Sequence, residues 1–307
     1  MGVATLALSQ CNSLSGMYLA LIMAGFSAGL YLPSGIAVVI GLVPSQHWGK
    51  GLSIHELAPN LGFITTPLLA EGFLRLLSWR GFLVFAGGWA ILAGLIFFVW
   101  GQGGNQKGEA PRLNAVQHIL SRPVFWLMTA FFVFSVGASF GLYSMLPLFL
   151  VSERGMSREL ANTLSSFSRT AGLLTIFISG WITDRAGHKR AVVMFLSTTG
   201  ALIVCIGLIH GPVLTPLLII LQASVAVCAF PAGFSMLSHG FPSAFRNLAI
   251  SLVIMMGYLL GAGAFPLGVG YVAEKLSFSW SFILQGLLTL CMVPFLLKVR
   301  IGEGENT

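Results

Sequence analysis

The chain has 307 residues, of which 56% are hydrophobic and 8% are charged, whereas roughly 25% of residues are charged in a soluble domain. The mean hydropathy of +0.90 therefore excludes a soluble globular protein. The net charge of +7 does not indicate a nucleic-acid ligand, because the basic residues lie singly in short loops. The four cysteines lie in apolar runs without CxxC spacing, so neither disulfides nor a metal site is predicted.

Long apolar runs predict an all-α integral membrane protein, because a helix needs about 20 apolar residues to cross a bilayer. The chain begins with a short apolar piece from Met1 to about Gln10. About nine full spans follow, near residues 16–44, 52–74, 81–100, 124–150, 160–182, 191–209, 213–240, 248–272 and 279–298. The long polar stretch from Gly101 to Arg122 is predicted to be a flexible linker. It divides the chain into an N-terminal half (1–100) and a C-terminal half (123–300), followed by a tail (301–307).

The basic residues predict the orientation of these spans. Loops on one side hold ten of them, namely Lys50, Lys107, Arg112, Arg122, Arg185, Lys189, Arg190, Arg246, Lys298 and Arg300. Loops on the other side hold five, namely Arg75, Arg80, Arg154, Arg158 and Lys275. By the positive-inside rule the first side is cytoplasmic. We therefore expect a multi-pass protein of the cell (inner) membrane, with the linker and the C-terminus in the cytoplasm.

The chain resembles itself at an offset of 198 residues. The segment Pro33-Ser-Gly35, followed by Pro44, matches Pro231-Ala-Gly233, followed by Pro242. This similarity predicts that the N-terminal half and the last three spans are parallel copies of one structural unit. On this offset the C-terminal half contains helices 7–12, and the N-terminal half contains part of helix 3 and helices 4–6. We therefore expect the chain to begin inside the third helix of a six-helix repeat.

A loop motif between two predicted spans of the C-terminal half carries a family resemblance. It reads Gly180-Trp-Ile-Thr-Asp-Arg-Ala-Gly-His-Lys-Arg190. This segment resembles the G-x-L-x-D-R-x-G-R-K-R loop of the major facilitator superfamily (MFS). The matching positions are Gly180, Asp184, Arg185, Gly187, Lys189 and Arg190, whereas Trp181, Ile182 and His188 depart from the pattern.

The resemblance implies a bundle of two parallel six-helix repeats, of which the first is incomplete here. It also implies a monomeric secondary transporter that works by alternating access of its two halves. In such transporters this loop holds the cytoplasmic side closed. By this resemblance, Asp184 is expected to meet the start of the fifth helix near Gly49 to Gly51, and a carboxylate suits the free N–H groups of a helix N-terminus.

Charged and polar residues inside predicted spans are costly and are therefore candidates for function. On the span 52–74, the candidates for substrate binding and proton coupling are His55, Glu56, Asn60 and Glu71. Arg169 lies in the middle of the span 160–182. We expect its guanidinium either to pair with Glu71 or to face the central cavity, and the second case favours an anionic substrate. The alternative is that these residues have structural roles only.

These features predict a proton-coupled secondary transporter of a small solute, with a small organic anion as the preferred substrate. The sequence contains no nucleophile–base pair, metal-ligand cluster or phosphate loop, so neither an enzyme nor a cofactor is expected. One alternative is a drug or metabolite efflux antiporter, whose fifth-helix motif matches at Gly62 and Pro67 but departs at Thr66, Ala70 and Glu71. The other is a truncated MFS fragment that does not transport.

Overall fold

The computed structural model describes residues 1–74, 76–101 and 113–298, and its regular elements in these ranges are helices. The N-terminal half contains α1 (Gly2–Gln10), α2 (Leu14–Leu42), a 3-10 turn (Ser45–His47), α3 (Trp48–Leu74) and α4 (Trp79–Trp100). Next come α5 (Leu113–Leu120), α6 (Pro123–Val136), a π-helical segment (Gly137–Gly141), α7 (Leu142–Ser152), α8 (Arg158–Ser168) and α9 (Gly172–Ala186). The chain continues with α10 (His188–Leu208), α11 (Leu214–Ala226), α12 (Ala229–His239), α13 (Ser243–Tyr258), a second π-helical segment (Leu259–Ala264), α14 (Phe265–Lys275), α15 (Phe278–Cys291) and α16 (Val293–Lys298).

Seven helical segments within the described ranges are long and apolar enough to cross a membrane. They are Leu14–Leu42, Trp79–Trp100, Pro123–Ser152, His188–Leu208, Leu214–His239, Ser243–Lys275 and Phe278–Lys298. The other two predicted spans correspond to α3 and to the pair α8–α9. Helix α3 is continuous, but polar and charged residues lie among its apolar ones. Helices α8 and α9 are separated by a break near Arg169. The all-helical membrane fold is thus confirmed, whereas the count of nine spans stays a prediction.

Serine side chains begin several of these helices. The hydroxyls of Ser13, Ser78, Ser157 and Ser277 accept a hydrogen bond from the backbone N–H three residues later, at 3.2–3.3 Å. Each bond satisfies one of the free N–H groups at a helix N-terminus. The serines therefore fix where α2, α4, α8 and α15 start.

The predicted linker is in part ordered. Residues 102–112 lie outside the described residues, but the segment after them forms α5, and Ile119 on this helix is fully buried. The apolar side chains of Leu113, Val116, Ile119 and Leu120 recur at helical spacing, which gives the helix an apolar face. The prediction of a flexible linker is therefore wrong for residues 113–120, which form a helix.

Helix packing supports the 198-residue offset. Gly2 on α1 and Gly87 on α4 lie so close that a Cβ on Gly2 would be 2.6 Å from the Gly87 carbonyl oxygen. In the same way, Gly200 on α10 and Gly286 on α15 bring a Cβ on Gly286 within 2.7 Å of the Gly200 carbonyl oxygen. Gly2 shifted by 198 is Gly200, and Gly87 shifted by 198 is one residue before Gly286. The two blocks therefore share this contact, and the complete repeat arrangement stays a prediction.

Besides the short gaps between α11 and α12 and between α15 and α16, three irregular segments interrupt the helices that were predicted to be continuous. Two are the π-helical segments Gly137–Gly141 and Leu259–Ala264, which pack against each other. The third lies between α8 and α9, where the N–H groups of Thr170 and Gly172 each bond to a carbonyl three residues back and form tight turns. Such irregular segments often mark functional sites in helical proteins. The predicted spans 124–150 and 248–272 thus remain helical segments of membrane length that contain a π-helical segment, whereas the predicted span 160–182 is divided between α8 and α9.

Candidate substrate cavity and closure site

A cavity of about 480 Å³ lies between the N-terminal and C-terminal halves. Helices α2 and α3 form one wall, and the other consists of the first π-helical segment, Arg169, the α11–α12 junction and α13. Most lining residues are apolar, and the polar ones are Tyr31, His55, Glu56, Asn60, Ser139, Arg169, Ser251 and Tyr258. A mostly apolar cavity with a few converging polar groups is typical of a small-molecule site.

Four of the five residues predicted for substrate binding and proton coupling line this cavity, namely His55, Glu56, Asn60 and Arg169. The side chain of Glu71 lies outside the described residues, and so does the predicted pair between Glu71 and Arg169. Because the helix is broken at Arg169, this residue does not lie in the middle of one straight helix, as its place in the predicted span 160–182 implied.

The guanidinium of Arg169 is held at the cavity wall by groups of the C-terminal half. Its Nη2 donates a hydrogen bond of 2.9 Å to the carbonyl oxygen of Ser139. Its Cζ lies 4.1 Å from the centre of the Tyr143 ring and 5.9 Å from that of Phe140. Cation–π contact and a carbonyl acceptor together offset part of the cost of placing a charge in the membrane.

On the opposite wall, α3 presents a histidine and a carboxylate in contact. His55 Nδ1 lies 3.3 Å from Glu56 Oε1, and the Tyr31 hydroxyl lies 3.4 Å from His55 Nε2. Glu56 is buried, with 7% of its surface exposed. Asn60 donates from Nδ2 to the backbone carbonyl of Glu56 at 2.7 Å, so its amide also braces the helix. A Cβ at Gly35 would be 2.9 Å from His55 Nε2, which explains the glycine at that position.

Sequence reasoning missed the tyrosines of the site. Tyr31 and Tyr258 line the cavity, and Tyr143 stacks on Arg169. The chain has 5 tyrosines, and three of them lie at the cavity or beside Arg169. The scarcity of tyrosine in an otherwise phenylalanine-rich chain is the signal that could have indicated them.

The predicted contact between the loop motif and α3 is present at one end of the bundle, which we call the Asp184 end. Asp184 Oδ1 accepts from the Gly49 N–H at 2.8 Å, and Oδ2 accepts from the Lys50 N–H at 3.3 Å. Since α3 begins at Trp48, the carboxylate caps the first turn of this helix. Gly180 permits the close approach, because a Cβ there would be 2.6 Å from Ser53 Oγ. The two halves are therefore in direct contact at this end.

The other matching residues of the loop motif differ in their surroundings. Gly187 has φ +85°, a conformation that favours glycine. Arg185 stacks on Trp181 with its Cζ 4.4 Å from the ring centre, so one departure from the family pattern has a partner within the motif. Lys189 donates from Nζ to the carbonyl oxygen of Leu297 at 2.9 Å, and Arg190 is exposed.

Trp48 adds a second contact between the halves at the Asp184 end. The indole is buried, and its Nε1 donates to the Val43 carbonyl at 2.9 Å. Its ring centre lies 4.5 Å from the His239 ring, and the Arg246 Cζ lies 5.3 Å from it. Trp48 of the N-terminal half thus contacts two side chains of the C-terminal half.

The fold is a helical membrane bundle with a cavity between its two halves and a helix-capping loop at one end, an arrangement that agrees with the family predicted from the loop motif. The chain belongs to the Major Facilitator Superfamily, whose sequence profile matches residues 1–225 and 155–306. This membership confirms the family that the loop motif predicts. It places the chain with membrane transporters and not with enzymes.

Two curated relatives are transport proteins. The chain is 24% identical to the cis,cis-muconate transport protein of Acinetobacter baylyi over 262 residues, which cover 80% of this chain and 62% of the relative. It is 21% identical to the phosphoglycerate transporter protein of Salmonella typhimurium over 307 residues, which cover 88% of this chain and 66% of the relative. The matches thus span less than two thirds of the length of these relatives.

Solved structures support the fold. The human organic anion transporter MFSD10 superposes with a TM-score of 0.83 at 16% identity, over 97% of this chain and 74% of that one. The MFS transporter FucP in its outward conformation gives 0.73 at 12% identity, over 97% and 80%. An outward-facing bacterial homologue of the iron transporter ferroportin gives 0.68 at 17% identity, over 96% and 78%.

Proposed function

We propose that the chain is a proton-coupled secondary transporter of a small organic anion, which works by alternating access of its N-terminal and C-terminal halves. The observation that carries this proposal is the guanidinium of Arg169, which is fixed at the wall of the cavity between the halves. Arginine suits a carboxylate or phosphate ligand, because its planar fork donates two parallel hydrogen bonds.

The charges at the cavity support proton coupling. Among the lining residues that the structure describes, the ionisable charges are those of Arg169, Glu56 and His55. With Glu56 ionised and His55 neutral, the described charges cancel, and an entering anion gives the described lining a net negative charge. A proton on the His55–Glu56 pair reduces this negative charge, and an uncompensated charge in a low-dielectric site is costly. Anion and proton are therefore expected to bind together.

The names of the relatives agree with an anionic substrate. Muconate and phosphoglycerate are organic anions, and the superposed human protein is described as an organic anion transporter. We propose the same substrate class for this chain, with its particular substrate to be found by binding assays.

The basic residues support the orientation in which the Asp184 end faces the cytoplasm. In this orientation the structure corresponds to a state that is closed on the cytoplasmic side of the inner membrane. We further propose nine spans in two parallel repeats, with the divisions 1–100 and 123–300, and a monomer as the transporting unit.

The second candidate is efflux of a hydrophobic cation in exchange for protons. The apolar lining of the cavity by Leu32, Phe230, Ile254 and Met255, together with the carboxylate of Glu56, favours this function. A cationic substrate would bind best when Glu56 is ionised, so its binding would weaken as the pH falls. Binding of an anion together with a proton has the opposite pH dependence.

Equilibrium binding to the purified 307-residue chain in nanodiscs distinguishes the two candidates. The probes are cis,cis-muconate, 3-phosphoglycerate and the hydrophobic cation tetraphenylphosphonium. We expect at least one of the two anions to bind. The Arg169→Lys substitution should weaken the affinity for that anion roughly 10- to 150-fold, the loss expected for a charged hydrogen bond of about 1.5–3 kcal/mol. Binding of tetraphenylphosphonium alone would support the efflux function and contradict ours.

Arg154→Lys is a matched control for this experiment. Arg154 also donates to a helix carbonyl, that of Ile206, at 3.0 Å and stacks on a ring, that of Phe149, at 4.4 Å. It lies in the loop after α7 and does not line the cavity. Equal losses of anion binding in both variants would indicate a general structural effect and would contradict a specific role of Arg169.

A further inference from the structure

The first π-helical segment is held by side chains from three other parts of the C-terminal half. Three consecutive carbonyl oxygens, those of Gly137, Ala138 and Ser139, each accept a hydrogen bond from a different side chain. The donors are Gln285 on α15 at 2.9 Å, Gln222 on α11 at 3.1 Å and Arg169 at 2.9 Å. Both glutamine side chains are buried. The first π-helical segment, which binds the Arg169 guanidinium, is therefore held in position by the two glutamines.

Tyr143 follows this segment and contacts Arg169 from a second direction. Its hydroxyl lies 3.0 Å from Ser168 Oγ, and Ser168 Oγ lies 2.8 Å from the Ser165 carbonyl oxygen. A carbonyl oxygen only accepts, so the Ser168 hydroxyl donates to Ser165. The Tyr143 hydroxyl is then the donor to Ser168. Ser168 directly precedes Arg169, so this bond ties the tyrosine to the backbone from which the guanidinium extends.

We propose that Tyr143 is a positioning residue of the anion site, which holds the Arg169 guanidinium in place through its ring and its hydroxyl bond to Ser168. This inference deepens the proposed function and rests on it. The ring covers one face of the guanidinium, and the Ser139 carbonyl fixes one of its N–H groups. Arginine is a long side chain with much rotamer freedom, and holding it in place before the ligand arrives strengthens binding.

The test uses two variants that remove different parts of Tyr143. Tyr143→Phe keeps the ring and removes the hydroxyl, and it should weaken binding of the anionic probe roughly three- to tenfold, the range for a neutral hydrogen bond. Tyr143→Leu also removes the ring and should weaken it further. Tyr271→Phe is the matched control, because Tyr271 is exposed on α14 and outside the cavity.

A positioning role is separated from a structural one by combining variants. If Tyr143 acts through Arg169, Tyr143→Phe should have little further effect in the Arg169→Lys background. Ser168→Ala should mimic Tyr143→Phe, and the two should not add, because they break the same hydrogen bond. Additive losses in either pair would overturn the proposal.

A second measurement does not depend on the ligand. The side-chain Nε–Hε signal of Arg169 in nitrogen-15-labelled protein is identified by its absence in Arg169→Lys. We expect the Tyr143 ring current to shift this signal, so Tyr143→Leu should move it and Tyr271→Phe should not. An unchanged signal in Tyr143→Leu would overturn the proposal even if the anion binds. If no anion binds to the unaltered chain, the proposed function fails, and the signal still decides the role of Tyr143.

Discussion

The contact between Asp184 and α3 predicts how the balance between open and closed states responds to one atom. Asp184→Asn replaces one carboxylate oxygen by an NH₂ group, which cannot accept from a backbone N–H. The side chain then loses its charge and one of its two bonds to Gly49 and Lys50. A charge at a helix N-terminus contributes about 0.3–2 kcal/mol. The closed state should therefore become roughly two- to thirtyfold less populated relative to the open state.

Accessibility of a single cysteine near the Asp184 end measures this population. A cysteine at Ser53, which is 1% exposed and packs against Gly180 at this contact, should react faster with a water-soluble maleimide in the Asp184→Asn variant. The variant should keep its thermal unfolding temperature within a few degrees, because the lost bonds join the two halves and do not lie within one half.

Glu153→Gln is the matched control. Glu153 also caps a helix N-terminus, since its carboxylate accepts from the backbone N–H groups of Phe278 and Ser279. This contact lies within the C-terminal half, so the variant should lower the unfolding temperature and leave labelling of the cysteine at Ser53 unchanged. If both variants lower the unfolding temperature and neither changes labelling, the role of Asp184 in closure is refuted.

Two further predictions concern packing and topology. Gly261→Ala places a Cβ 2.6 Å from the Val133 carbonyl oxygen, and such overpacking should cost about 1–3 kcal/mol and lower the unfolding temperature. In Gly263→Ala, in the same π-helical segment, the added Cβ meets nothing within 4 Å, so this variant should not lower the unfolding temperature. Equal effects of the two variants would contradict the packing argument. Single cysteines at Asn105 and Ser152 should react from opposite sides of the membrane, and labelling from the same side would overturn the proposed topology.

The sequence predicted parts of the site through a family resemblance and through local chemistry. The resemblance of the loop motif to that of the major facilitator superfamily implied that Asp184 meets the start of α3. An arginine in an apolar span requires compensation, which was enough to indicate Arg169 as a residue of interest. The part of that compensation that the structure describes, a ring and a backbone carbonyl, depends on the neighbouring helix and was not predictable from α8 alone.

The breaks in the helices could not be predicted for a similar reason. The π-helical segment Gly137–Gly141 has an ordinary apolar sequence, and its carbonyls are bonded by Gln222 and Gln285, which lie 84 and 148 residues away from their partners along the chain. The segment is therefore defined by tertiary contacts. Gly25 and Gly29 have the spacing that is typical of a helix packing face, but they line the cavity, where an added Cβ would meet nothing within 4 Å.

Proton uptake on ligand binding tests the central claim most directly. Calorimetric titration of the 307-residue chain with cis,cis-muconate, or with whichever anion binds, is carried out near pH 7 in two buffers of different ionisation enthalpy. Because the bound anion and a proton on the His55–Glu56 pair favour each other, we expect net uptake of protons when the anion binds, and less uptake in Glu56→Gln, which removes one titratable member of the pair. Binding without any exchange of protons, or with release of protons, would contradict a proton-coupled anion transporter.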